Sequence, residues 1–160
     1  MDLVHYSAIP LKFNRRRKYE ASGSYKPNGF WVSVRGDDDW EWWCRSEDFH
    51  IDSLQCTHTV VLRPDANILF ISTQCGMEDF QHRYAVNIRS LFAIAWEQVR
   101  KKYDGLIISP YRWSYRLNPD FMWYYGWDCA SGCIWNLDAV ESVSLFNTEI
   151  PNRKESVCPK

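Results

Sequence analysis

Two short stretches set a histidine and a serine within strand-like segments. The first is Leu3-Val4-His5-Tyr6-Ser7 and the second is Gly29-Phe30-Trp31-Val32-Ser33. A third such run, Tyr103-Asp104-Gly105-Leu106-Ile107-Ile108, comes much later. In that order they predict a cleft that gathers an imidazole and a hydroxyl, of a kind suited to a dinucleotide. Asp37-Asp38-Asp39 suits an N-cap and first helical turn, where the helix dipole favours negative charge. The same carboxylates could instead bind a divalent cation. Cys129-x-x-x-Cys133 offers metal-ligating residue types but lacks a second pair at zinc spacing, so no metal site is expected. The chain contains no G-x-S-x-G, Walker A or H-E-x-x-H motif. The spacing of His5, His50, His58 and His82 indicates no Cys–His pair.

Composition narrows the partners. Nineteen basic against twenty acidic residues give a net charge of -1 over 160 residues. That balance provides no general attraction for nucleic acid or anionic lipid. Arg15-Arg16-Arg17-Lys18 is the obvious local basic patch, readable as a solvated loop or as a contact for nucleic acid. Hydrophobic residues at 46% and charged ones at 24% exclude wholesale disorder. Nine tryptophans suit a core, and also suit stacking on nicotinamide, adenine or exposed bases. Six cysteines without a leader-like opening are expected to be reduced thiols in a cytoplasmic protein. No apolar run approaches the ~18 residues that cross a bilayer, so no membrane partner is expected.

The elements that must position these groups follow from pattern. Strands are expected at 3–7, 29–34, 57–63, 68–72, 106–109 and 133–135, with a last one over 143–150. Residues 8–28 read as a long loop. A helix is expected from Trp40 to Phe49, with Trp40, Trp43 and Cys44 on one face. The spacing of Leu91, Ile94, Ala95 and Val99 predicts another over 90–103. Helices between groups of strands indicate α+β. One domain over 1–150, followed by a flexible tail over 151–160, accounts for the whole chain.

In this order the segments resemble the ADP-ribosyltransferase-like superfamily, including its phage and toxin-type members. That family opens on a strand with His or Arg, here Val4-His5-Tyr6-Ser7. A strand with a small hydroxyl residue follows, here Gly29 to Ser33, and then a helix. A strand pair resembles 59–69. A "YDGI" strand is matched by Tyr103-Asp104-Gly105-Leu106, and a final "YVVF-x-P-x-x-I" element loosely by 132–140. The resemblance spans roughly residues 3–145. It implies split antiparallel β-sheets around a cleft with flanking helices, NAD⁺ as substrate, and a protein or nucleic-acid acceptor. By position His5 would hold the ribose or phosphate, with Tyr6, Ser7, Trp31 and Ser33 as the rest of the cofactor site. Aromatics from 111–127 would join Tyr6 and Trp31 around the nicotinamide. Residues 8–28, with the basic cluster, would form a lid or acceptor-facing loop.

Breaking the nicotinamide–ribose bond leaves positive charge at C1′, which a carboxylate stabilises as in glycoside hydrolysis. The family places Glu just before its last core strand. Here the stretch is Trp127-Asp128-Cys129-Ala130-Ser131-Gly132-Cys133, and Ser131 occupies the Glu slot. Asp128, three residues upstream, is then the candidate catalytic carboxylate beside His5. Two functions stay open: ADP-ribosyl transfer or NAD⁺ hydrolysis, and a catalytically inactive nucleotide- or partner-binding module of the same fold.

Overall fold

The structure, a computed structural model, describes residues 1–21, 25–36, 38–88 and 91–146. Its strands are β1 (Leu3–Ser7), β2 (Phe30–Val34), β3 (Cys56–Leu62), β4 (Ile68–Ile71), β5 (Ala85–Ile88), β6 (Leu91–Ile94), β7 (Gly105–Ile108), β8 (Ser131–Ile134) and β9 (Val140–Leu145). Seven of them form one sheet in the order β4-β7-β8-β2-β1-β3-β9, and β5 pairs with β6 separately. The class is α+β, with helices α1 (Trp40–Ser46), α2 (Gln74–Tyr84), α3 (Trp96–Arg100) and α4 (Trp113–Arg116).

Burial explains the order. β7 and β8 are buried along their whole length, as their apolar and small residues require of central strands. Gly132 lets them meet: a Cβ there would lie 2.5 Å from Ile107 Cγ1 and 2.7 Å from the Leu106 carbonyl oxygen. On the edge strand β9, inward Val140 is followed by exposed Glu141 and Ser142.

The sheet is mixed rather than antiparallel throughout, because β4 and β7 run parallel. A parallel pair needs a crossover of a dozen or more residues, and residues 72–104 supply it. There the expected helix over 90–103 gives way to β6 and the short α3. Leu91, Ile94, Ala95 and Val99 match a helical period, but four residues form a hairpin arm and only five a helix. α2 was not expected. Thr73 caps it by accepting from the Gly76 N–H, and Met77, Phe80 and Tyr84 face inward at helical spacing.

Asp39 is the N-cap of α1, accepting from the N–H of Trp42 at 2.8 Å and of Gly36 at 3.2 Å. The capping reading therefore holds for Asp39; Asp37 lies outside the described residues, as do 147–160 with the expected strand end, tail and Cys158. Among the described residues there is no group of three or more potential metal ligands, and no helix long and apolar enough to cross a membrane. The segment 111–127 builds the core: Tyr111, Tyr115, Phe121, Trp123, Tyr124 and Trp127 are all buried.

Candidate functional site

The sheet opens at one place. β1 and β2 pair only at Leu3↔Val34 and Val4↔Ser33, while β1 continues along β3 as far as Ser7 and β2 continues along β8 from Phe30. Beyond Val4 the two strands part. A cavity of about 250 Å³ adjoins that opening, lined by Val4, His5 and Tyr6 of β1, Trp31, Val32 and Ser33 of β2, Trp40 of α1, Lys26, and Asp128, Cys129 and Ser131. Pockets for drug-sized ligands enclose roughly 300–1,000 Å³. The cavity therefore suits one ring system with its sugar rather than an entire dinucleotide.

Register explains which side chains meet there. Paired residues share a face, so Val4 and Ser33 lie together and Ser131 lies opposite Ser33 on β8. Alternation along each strand adds Tyr6 and Trp31 to that face. The Ser33 hydroxyl oxygen accepts from the Trp40 N–H at 2.9 Å, which fixes the start of α1 against β2. Tyr6 donates to Glu41 at 3.4 Å, and burial, with Asp39 and Glu41 adding to it, pushes its phenol up to about 12. It stays protonated at neutral pH and acts as a donor.

The charged wall consists of Lys26 and Asp128. The Lys26 ammonium lies 4.9 Å from the centre of the Trp31 ring and 3.9 Å from Asp128 Oδ2. Its stem crosses Gly126, where a Cβ would come within 3.0 Å of Cε. Desolvation lowers the Lys26 pKa, opposed first by the charge of Asp128. Arg116 donates to Asp128 Oδ1 at 3.1 Å. The cavity thus presents two aromatic faces, hydroxyl groups, a carboxylate and an ammonium. Burial raises the Cys129 thiol to about 12, so it stays un-ionised at neutral pH.

Two expected site residues are corrected by geometry. His5 borders the cavity, but alternation along β1 turns its imidazole to the other face from Tyr6 and Ser33. Its Nδ1–H donates to the Trp31 carbonyl at 2.8 Å, across the gap where ladder bonds have ceased. The ring packs on Phe30, centroids 4.6 Å apart, with His58 6.2 Å away. Burial is the main reason its pKa falls below the ordinary 6.5, partly offset by the bond to Trp31. The bond braces Trp31 from that face. Ser7 does not line the cavity, and its hydroxyl donates to the Ile9 carbonyl at 2.6 Å.

The basic cluster is also placed elsewhere. Arg15 donates to the carbonyls of Val140 and Glu141, and Arg17 lies over Tyr19. Leu11, Phe13 and Tyr19 pack on the core. The Leu11 N–H donates to His58 Nε2, leaving its Nδ1–H for the His5 carbonyl. This stretch is a strap across the core, and among its described residues Lys26 is the one that lines the cavity. Of the 111–127 aromatics, none lines the cavity; Trp127 supports Trp31 edge-on at 4.9 Å.

The sequence reading identified Tyr6, Trp31, Ser33 and Asp128 and missed Lys26 and Arg116. Neither cation carries a pattern signal. Arg116 sits in a four-residue helix and Lys26 in irregular chain. Compared with family models, with curated proteins and with solved structures, the chain has no match.

Proposed function

We propose that this protein is a nucleotide-binding module, with the aromatic end of NAD⁺ as the ligand its cavity accepts. One observation supports this reading. Tyr6, Trp31, Ser33 and Asp128 come from three separate parts of the chain and line a single cavity where the sheet opens. Trp31 and Trp40 supply faces for a planar ring, the Tyr6 and Ser33 hydroxyls supply polar contacts, and Lys26 suits a phosphate or carbonyl oxygen. The ADP-ribosyltransferase-like form of the α+β fold is part of the same proposal, resting on segment order and on the opening between β1 and β2.

Binding without turnover is favoured because Asp128 is already engaged by two cations, Arg116 and Lys26. A carboxylate neutralised in this way has less charge to offer an oxocarbenium centre. His5 is committed to Trp31. The second reading, transfer of ADP-ribose to a protein or nucleic-acid acceptor or hydrolysis of NAD⁺, is supported by the presence of Asp128 in the same cavity. There its carboxylate would stabilise the charge at ribose C1′ as nicotinamide departs.

Titration calorimetry with NAD⁺, paired with chromatographic detection of free nicotinamide, separates the two. Heat of binding with no nicotinamide over hours is the expected result. Steady nicotinamide release, reduced at least tenfold by Asp128→Asn, establishes the enzyme instead. No binding and no release together discard NAD⁺ as the ligand.

A further inference from the structure

Exposed aromatic side chains on a small protein are ordinarily scattered singly. Here they are gathered. Trp42 and Trp113 are each 46% exposed and meet edge to face at 6.0 Å. Trp43 lies 6.5 Å from the first and 6.3 Å from the second. α1 joins this group to the cavity. Trp40 lines the cavity, and Trp43 stands three residues on, about 4.5 Å further along the axis.

Arg116 joins them from the other side. Its Nη1 donates to Asp128 in the cavity wall, while its guanidinium carbon stands 4.4 Å from the centre of the Trp43 ring. Nη1 also reaches the Tyr111 hydroxyl and the Trp127 carbonyl. Among the described residues, Nε and Nη2 hold no hydrogen bond. The guanidinium, set over the Trp43 ring and 5.6 Å from the Tyr125 ring, thus keeps N–H groups without a partner. Such groups match phosphate oxygens in geometry and charge, and Lys26 stands on the other side of Asp128 as a second cation.

We infer that Trp42, Trp43 and Trp113 form a second stacking subsite. The ligand is then a dinucleotide whose phosphates pass Arg116 and Lys26 and whose distal base lies on Trp42 and Trp113. This inference rests on the nucleotide reading of the cavity and deepens it. A cavity of about 250 Å³ holds one ring and its sugar, so the rest of a two-ring ligand must leave it. The aromatic group lies one helical turn away with a cation between. Base–aromatic stacking tolerates any planar base, so the subsite needs no hydrogen-bond code for the distal ring.

Calorimetry with NAD⁺, nicotinamide mononucleotide and a ten-nucleotide single strand of dA tests this, using the full chain and the variants Trp113→Ala and Trp42→Ala. Both substituted residues are exposed and lie on different elements; circular dichroism checks that each variant is folded. The expected result is NAD⁺ binding at least tenfold tighter than the mononucleotide, with that advantage lost in both variants while the mononucleotide affinity is unchanged. Equal affinity for the two nucleotides, unaffected by either variant, overturns the second subsite and leaves the cavity reading intact. Tight binding of the oligonucleotide alone, lost in the variants, overturns the dinucleotide in favour of a nucleic-acid strand. Failure of all three probes to bind the unaltered chain overturns the cavity reading and the subsite with it.

Discussion

Two aspartates, Asp104 and Asp128, lie near opposite ends of the β7–β8 pair and show how differently a carboxylate can be used. Asp104 belongs to the Tyr103-Asp104-Gly105 motif on which the family resemblance partly rests. Its Oδ2 accepts from the Asn67 N–H at 2.9 Å and its Oδ1 from the Asn136 amide at 2.7 Å. Its carbonyl accepts from the N–H groups of Trp135 and Asn136. Asp104 thus ties the entry to β4, the start of β7 and the end of β8 into one corner. Among the described residues, the partners of Asp128 are the side-chain cations Arg116 and Lys26, and it lines a cavity. A carboxylate bonded by backbone and amide N–H groups is structural. One held by two charged side chains in a cavity wall sets the charge that a ligand meets there.

The largest effect expected from this contrast is at Asp104. Asp104→Ala removes both carboxylate bonds and keeps the carbonyl ones, so unfolding free energy should fall by about 2 kcal/mol. Urea denaturation measures it, and nucleotide affinity per folded molecule should not change. A loss of affinity without a loss of stability would reverse the roles given to the two aspartates. Asp128→Asn should do the opposite. Its ion pairs are partly exposed, so stability should change by less than about 1 kcal/mol. With the negative charge gone, Lys26 and Arg116 are free for phosphate, and NAD⁺ affinity should hold or rise. A fall of tenfold or more would show that the carboxylate itself contacts the ligand.

The same contrast marks what could be read from the chain. β1, β2, β3, β4 and β7 announce themselves as apolar runs bounded by turn residues, and Asp39 as a cap for α1. In the crossover from 72 to 104 the pattern and the structure differ in both directions. In α2, Met77, Phe80 and Tyr84 are separated by charged and polar residues that dilute the apolar stripe, although Thr73 as a cap preceding them was a usable signal. In 91–99 the apolar spacing fits a helix, but pairing with β5 makes 91–94 a strand and leaves the helix to α3. At the site, period-two alternation alone separates His5 from Tyr6. What the sequence could not supply was the opening of the β1–β2 ladder, since that depends on where pairing stops. Nor could it place Lys26, whose approach is set by the strap packing across the core.

His5 provides the finest test, because it sits between structure and site. Its folded pKa lies below 6.5, chiefly through burial. The neutral ring is therefore the form compatible with the fold. Its contribution to stability is fully present above the unfolded value of about 6.5 and is lost as pH falls through the lowered folded value. His5→Asn retains an N–H donor for the Trp31 carbonyl but does not titrate. Melting temperature should be flat between about pH 8 and pH 6.5 in both proteins, with a shallower acid decline in the variant. The mononucleotide affinity at pH 7.5 should be unchanged, since the amide still braces Trp31. An unchanged acid decline would remove His5 as the titrating group, and lost affinity despite an intact melting profile would return the imidazole to the ligand-facing side.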